Sequence, residues 1–573
     1  MKRFRPLILA AIIIMAGLLA YGLWTLPAPQ PAGSEGFSSE RAMLDIQAIS
    51  GKHHSVAHAA ERAEVREYLA GRLKGLGADT VRFFRYDSLS GPENKHVSYT
   101  FDAVNVLAEF APPASGGNDS YLMLVAHYDS RYSQPMPKDT VWSFGAADDG
   151  YGLAVALETV SRVLSLRNEW KQGLKVLFTD AEEVGMMGMK AIRENDSDVF
   201  SDVGLLINIE ARGPWGPALL FETSPGNSRV VDLYKNNAKY PYTYSLTSVV
   251  YNFMPNFTDF TVVKDEIPGM NFSTVADINH YHTDLDNFGN TSERSVQHYG
   301  AQILPVAEAY LTASEYSDRT SFESENDSTY FTVPLLGLFV FSKTGYLISN
   351  IALFVIFLML AAFEVLRGRL KLSGVFKNAG LVLLSAVVVL LLGEAVAFIC
   401  ALAAGAGFKL FGIVAGIPFD NAAMLSFIVL ISAVSASIYW AGRGRAIRRT
   451  SGSMRSSAPA TAASKYAYNM LYGVLCLDFM LSAVLVFALG ENLMFAIPLF
   501  CAAAAMVLYH ATGLRMWLPL AIGLMLLHAF SFLYALAMAL TIGALGAVAM
   551  IAFLDIMVIL PMADLYLANF KKR

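Results

Sequence analysis

The sequence predicts an α/β domain with helices on both faces of a mixed, mostly parallel sheet, joined to an all-α multi-span transmembrane domain. Two observations carry this. Between about residues 38 and 330, apolar runs of strand length alternate with amphipathic stretches of helix length. Beyond residue 331 the chain is apolar in runs long enough to cross a bilayer. A mean hydropathy of +0.43 with only 16% charged residues is too apolar for an ordinary soluble enzyme, and the excess lies in the second part. A net charge of −5 argues against a nucleic-acid partner. The three cysteines, Cys400, Cys476 and Cys501, all fall in apolar segments, so no disulfide framework is expected in the α/β part.

Residues 1–26 pair Lys2, Arg3 and Arg5 with an apolar run from Pro6 to about Leu26. The run is long enough to span and no small-x-small cleavage site follows, so an uncleaved signal anchor is expected rather than a cleaved signal peptide. Residues 27–37 form a Pro/Gly/Ser linker. In the domain assigned to residues 38–330, helices are expected from Ser38, over about 57–76, after Asp149, after Glu183, over 227–238 and over 292–313. Strands are expected near 80–85, 97–110, into His127, at 174–179, 203–209 and 218–221. After Ala238 a polar, aromatic loop region leads to His280, and the aromatics between Tyr240 and Phe260 are consistent with a pocket wall or with core.

Residues 331–573 carry about seven spans, near 346–366, 378–403, 421–441, 468–489, 492–511, 515–538 and 542–566. Arg367, Arg369 and Lys371, then Arg443 through Arg455 with Lys465, then Lys571 to Arg573 satisfy a positive-inside arrangement. Both termini are then cytoplasmic and the α/β domain is exported. A bacterial inner membrane with the domain in the periplasm is the expected location; the missing cysteines are neutral, since a periplasmic domain can do without disulfides whereas a lumenal eukaryotic one more often has them. Glu394, Asp478, Asp555 and His528 fall inside spans, where ionisable groups are costly and suggest function.

The chemistry sits where predicted strands end. Leu-Val-Ala-His127-Tyr-Asp129-Ser, Gly145-Ala-Ala-Asp148-Asp149-Gly, Thr-Asp180-Ala-Glu182-Glu183, Asn208-Ile-Glu210 and Tyr281-His282-Thr-Asp284-Leu-Asp286 each deliver His, Asp or Glu there. In open α/β sheets ligands bind at the carboxyl ends of the strands. Two divalent metals need one bridging carboxylate, plus one His and one further carboxylate each. His127, Asp148, Glu183, Glu210 and His282 meet that count. Glu182, adjacent to a ligand, is placed to serve as general base to an attacking water. His53, His54 and His58 look like a metal tract but read as structural, and Asp180 reads as a strand-end hydrogen-bonding group. Asp259 and Phe260 are candidates for shaping a substrate pocket.

These five pieces, in this order, resemble the M28 zinc peptidases. Glu210, where many members have Asp, is similar to the membrane-bound branch, the endoplasmic-reticulum metallopeptidase 1 or Fxna-like proteins, as are Glu210-Ala-Arg-Gly and Leu220-Phe-Glu-Thr. The resemblance covers about Ser38 to Thr312 and implies a zinc exopeptidase-like fold with two Zn2+ ions, Co2+ or Mn2+ being alternatives. It further implies that Asp148 bridges, that His127 and Glu210 complete one site, and that Glu183 and His282 complete the other. It makes Glu182 the base and Asp129 and Asp286 the groups that orient the two His ligands. Tyr281 matches a position that stabilises an oxyanion in some members, and the Asp148–Asp149 peptide is expected to be cis.

The expectation is a membrane-anchored dinuclear zinc exopeptidase, foremost an aminopeptidase, with peptide substrates and lipid as its partners. A glutaminyl cyclase, a carboxy- or dipeptidase on the same fold, and a non-catalytic scaffold or receptor with a retired peptidase domain are the alternatives.

Overall fold

The computed structural model describes residues 4–22, 26–90, 100–113, 120–136, 139–252, 256–408, 410, 420–451 and 458–568. Lys2, Arg3, Arg455, Lys571, Lys572, Arg573 and residues 97–99 of one expected strand lie outside these. The chain divides into two compact units: Trp24–Thr332 with Leu336–Lys343, and Met1–Leu23 with Val333–Leu335 and Thr344–Arg573.

The elements in chain order are α1 (Arg5–Gly22), α2 (Ser39–Ile49), α3 (Ala59–Gly75), β1 (Thr80–Ser90), β2 (Thr100–Phe110), β3 (Tyr121–His127), β4 (Tyr132–Met136), β5 (Asp139–Trp142), α4 (Gly150–Val163), β6 (Gly173–Thr179), α5 (Met187–Asn195), β7 (Val203–Ala211) and β8 (Leu219–Thr223). They continue with α6 (Ser228–Asn237), α7 (Ser245–Asn252), α8 (Asp259–Val263), β9 (Gly269–Thr274), α9 (Glu293–Thr312), β10 (Ser328–Val333) and β11 (Gly337–Ser342).

Seven strands form one sheet in the order β1-β2-β6-β3-β7-β9-β8. The middle four, β6, β3, β7 and β9, are parallel, and β1, β2 and β8 add antiparallel edges. Both faces are covered, which is why β3, β6 and β7 read as continuous apolar runs. Leu122, Leu124 and Ala126 point into a core shared with α2, α4 and α9. Their neighbours Met123 and Val125 point into a second core with α5 and α8. Ser38, Asp149 and Ser292 each accept a backbone N–H in the first turn of α2, α4 and α9.

Several features depart from the expected elements, the helices α7 and α8 in the expected loop region among them. β9 was expected as loop because Asn271, Ser273 and Thr274 break its apolar run, yet all six of its residues are buried. Asn271 is satisfied by Asn208 on the adjacent strand, at 3.0 Å. The hairpins β4–β5 and β10–β11 were likewise not anticipated. Phe260, a pocket candidate, belongs to the core beneath the sheet.

The second unit holds eight helices among the described residues that are long and apolar enough to span a membrane. They are α1, α10 (Lys343–Leu366), α11 (Leu372–Ala404), α12 (Asp420–Ser451), α13 (Ala458–Leu489), α14 (Leu493–Thr512), α15 (Trp517–Leu540) and α16 (Leu545–Leu567). Thr541 and a short 3-10 turn divide the last two. A Cβ on Gly393 would stand 2.4 Å from the Cα of Gly546, so α11 and α16 approach there as only glycines allow. Polar groups in this unit find partners: Tyr346 and Asn350 meet Asn492, and Arg443 meets Asp564 at 2.6 Å. Asp478, Asp555, Glu394 and His528 are buried in the bundle.

Candidate metal centre

Five side chains converge at the carboxyl ends of β3, β6 and β7. His127 is the last residue of β3. Its N–H donates to the Asp149 carboxylate (3.2 Å) and its Nδ1 lies 2.9 Å from the Asp129 carbonyl, which turns Nε2 inward. Asp149 also caps α4 through Gly152 N–H, and a Cβ on Gly152 would lie 2.3 Å from that carboxylate, so only glycine fits there. The cap locks Asp148, joined to it by a cis peptide, beside His127.

His127 Nε2 is 3.2 Å from Asp148 Oδ1 and 3.6 Å from Glu210 Oε2. His282 Nε2 is 3.3 Å from Asp148 Oδ2 and 3.1 Å from Glu183 Oε2. Asp148 thus turns one oxygen to each histidine. His127, Asp148 and Glu210 form one candidate ligand group, and Asp148, Glu183 and His282 a second, each with its donor atoms within 4.8 Å of one another. The donors are imidazole and carboxylate, the zinc-type set. Asp148 Oδ2 and Glu183 Oε1 are buried without a hydrogen-bond partner among the described residues. Oxygens left so in a buried site fit bound cations.

The electrostatics agree. Burial pushes Glu182, Glu183 and Glu210 up, Glu210 to about 8, and each neighbouring carboxylate adds to the rise. Burial also acts on Asp148, but His127 and His282 hold it low. The same carboxylates keep both histidines above the usual imidazole value despite burial. Cations in the cluster would displace those protons and relieve the carboxylate repulsion.

The two aspartates expected to orient histidines also serve backbone amides with their carboxylates. Those of Asp129 accept the N–H groups of Glu182 (2.9 Å) and Glu183 (3.2 Å), while its backbone carbonyl serves His127. Its Oδ1 is 3.6 Å from His127 Nδ1, beyond hydrogen-bond reach. Asp286 accepts from Ala147 N–H (2.7 Å), Ser143 Oγ (3.0 Å) and Asp148 N–H (3.3 Å), so it grips the loop that presents Asp148. Carboxylates are better acceptors than carbonyls for a strained turn's amides, and both were spent on such turns. Tyr281 stacks on His282 with ring centroids 3.5 Å apart.

His53 and His58 pack on Phe144 and Trp142, and His54, buried and lowered to about 4 by that burial, contacts the Lys52 carbonyl. Among the described residues these histidines join neither candidate ligand group. Asp180 accepts from Val104 N–H and Tyr128 Oη, as a strand-end group does. Asp259 accepts from Thr179 Oγ1. Sequence reasoning did not single out Arg131, whose Nη1 lies 3.2 Å from Glu183 Oε2, nor Asn208, whose Nδ2 donates to Glu210 Oε1 (3.0 Å) and Asn271. Arg131 follows Asp129 by two residues and Asn208 precedes Glu210 by two, a spacing that places Asn208 on the face of its ligand.

Residues 105–307 match Peptidase family M28. The chain is 28% identical over 317 residues to endoplasmic reticulum metallopeptidase 1 of Mus musculus, covering 53% of this chain and 33% of that one. It is 27% identical over 337 residues to the vacuolar membrane protease of Candida dubliniensis, covering 56% and 32%. The match therefore spans about a third of the length of these relatives, which are named for endoplasmic reticulum and vacuole rather than for a bacterial membrane. Among solved structures, the glutaminyl cyclase of Bacteroides thetaiotaomicron aligns with a TM-score of 0.38 and 17% identity, over 48% of this chain and 98% of that one. With its many apolar helices, the chain is an integral membrane protein with multiple spans, and through residues 105–307 it carries a peptidase family M28 domain, distantly related to endoplasmic reticulum metallopeptidase 1 and the vacuolar membrane proteases.

Proposed function

We propose that the protein is a dinuclear zinc exopeptidase, an aminopeptidase that removes N-terminal residues from peptides on the exported face of the membrane. One observation supports it above the rest: two three-residue ligand groups share Asp148, one on each oxygen, and Glu182 stands beside them. His127, Asp148 and Glu210 would hold one zinc and Asp148, Glu183 and His282 the other. Bound there, zinc supplies Lewis-acid polarisation of the scissile carbonyl and a lowered pKa for the attacking water.

The chain's own residues do the rest. Glu182, fixed by its N–H on the Asp129 carboxylate, takes the proton of the attacking water and returns it to the leaving amine. Burial among carboxylates makes it a stronger base than a solvated glutamate. Tyr281, stacked on His282, offers its hydroxyl to the oxyanion that forms.

The test uses detergent-purified full-length protein and a panel of free-amine aminoacyl fluorogenic substrates. Amine-blocked copies and an N-terminal glutamine peptide run alongside, with and without chelator. Release from free-amine substrates only, stopped by chelator and lowered about 10^2- to 10^4-fold in Glu182→Gln, is expected. Cyclisation of the glutamine peptide would replace the reading with a glutaminyl cyclase, and silence with no zinc bound would replace it with a scaffold.

The exported face is supported by Arg367, Arg369 and Lys371 after α10 and by Arg443, Arg445 and Arg448 at the end of α12. In a bacterial inner membrane that face is the periplasm. A reporter active only in the cytoplasm, fused after Arg573, should be active, and an inactive fusion would reverse the orientation.

A further inference from the structure

Arg212 stands apart from every other arginine of the peptidase unit. Among the described residues Arg41, Arg62, Arg72 and Arg131 pair with Glu158, Asp180, Asp45 and Glu183, and Arg229 and Arg294 donate to backbone carbonyls. The guanidinium of Arg212 takes part in no hydrogen bond or ion pair there, although the side chain is half-buried. A guanidinium carries five donors in a fork that matches a carboxylate, and leaving them unused in a partly buried place is costly.

Its position is set by the backbone. Arg212 N–H donates to the Thr274 carbonyl at 2.9 Å, so the residue continues β7 alongside β9. It therefore shares a strand face with Glu210, two residues before it, which is a candidate ligand. The guanidinium carbon lies 5.8 Å from the centroid of the Tyr281 ring, and that ring is stacked on His282. Arg212 thus stands two residues beyond Glu210 in sequence and next to the ring that stacks on His282. Such a cation–π contact is weak at this distance and consumes none of the N–H donors.

We propose that Arg212 is the receptor for a substrate carboxylate next to the scissile bond. This rests on the peptidase reading above and narrows its substrates to peptides with an acidic group beside the cleaved bond. That carboxylate is either an acidic side chain or the free C-terminus of a dipeptide. Arg131 is already neutralised by Glu183 and so offers no equivalent site.

Binding is measured by calorimetry on the zinc-loaded full-length Glu182→Gln protein in detergent, so that turnover does not enter. The probes are alanyl-alanine against its amide, for the C-terminal source, and alanyl-glutamate amide against alanyl-glutamine amide, for the side-chain source. In at least one pair the acid is expected to bind about tenfold tighter, the order a charged hydrogen-bonded pair contributes. Adding Arg212→Gln should abolish that preference while leaving the neutral member's affinity unchanged, and Arg212→Lys should keep part of it.

Four results overturn the proposal. They are equal binding of acid and neutral forms in both pairs, a preference that survives Arg212→Gln, an equal loss for acid and neutral ligands, and no binding of any probe. The wild-type protein separates the two readings. Carboxylate preference in binding without peptide cleavage removes the peptidase and keeps the receptor, and cleavage without preference does the reverse.

Discussion

The two halves of the candidate metal centre are built from different material. His127 ends a buried parallel strand, is 1% exposed at its side chain, and is gripped at both its N–H and its Nδ1. His282 stands in a loop after a 3-10 turn, is 24% exposed, and has a φ of 59°, a conformation a non-glycine residue holds at some cost. Glu210 likewise leaves a central strand, whereas Glu183 sits in the turn between β6 and α5. One half is positioned by the sheet and the other by loops tied back to it. A site on rigid elements is better pre-organised, so the His127 half should hold zinc more tightly and the His282 half should exchange it.

The largest effect should come from the residue that belongs to both halves. Asp148→Asn is expected to abolish both zinc sites and all peptide hydrolysis while the sheet stays folded. Elemental analysis beside circular dichroism would show it. One zinc retained at full occupancy would mean that the halves do not share this carboxylate.

Next comes staged removal. Dialysis against rising chelator should take zinc in two steps, and His282→Ala should delete the first step while His127→Ala deletes the second. A single step removing both ions together, or the opposite order, would break the comparison. A smaller effect is expected from Asn208→Ala, which frees Glu210 Oε1 and lowers zinc affinity in the His127 half about 10- to 100-fold. The His282 half should titrate as before.

How much of this could be read from the chain follows the same division. β3, β6 and β7 announce themselves because both faces are buried and their runs are apolar, and the residues that end them were legible with them. The strand β9 was not legible. Its polar residues are paid for by a partner, Asn208, that lies 63 positions away in sequence. Loop chemistry failed for a related reason. Asp286 was assigned to a histidine through the family resemblance, but its carboxylate reaches the amides of Ala147 and Asp148, more than 130 positions away. Arg212 lay inside Glu210-Ala-Arg-Gly and was read only as part of a family pattern. A lone cation shows itself only when all the carboxylates nearby are seen to be engaged elsewhere.

Arg131 gives the smallest and most discriminating prediction. Its Nη1 meets Glu183 Oε2 at 3.2 Å and also donates to the Glu183 carbonyl. That contact can act in two opposed ways. As a positioning group it would favour zinc by holding Glu183 in place, and as a cation it disfavours zinc by repulsion and by competing for the same oxygen. The side chain is 32% exposed, so the contact is partly screened. The loop half depends less on any one fixed contact, so the competing charge should prevail. Arg131→Gln is then expected to tighten zinc in the His282 half by a few-fold, roughly what removing a partly screened charge contributes, with the His127 half unchanged. Calorimetric zinc titration of the apoprotein reads both. A loss of tenfold or more would make Arg131 for Glu183 what Asn208 is for Glu210, and the loop half would then be as pre-organised as the half carried by the sheet.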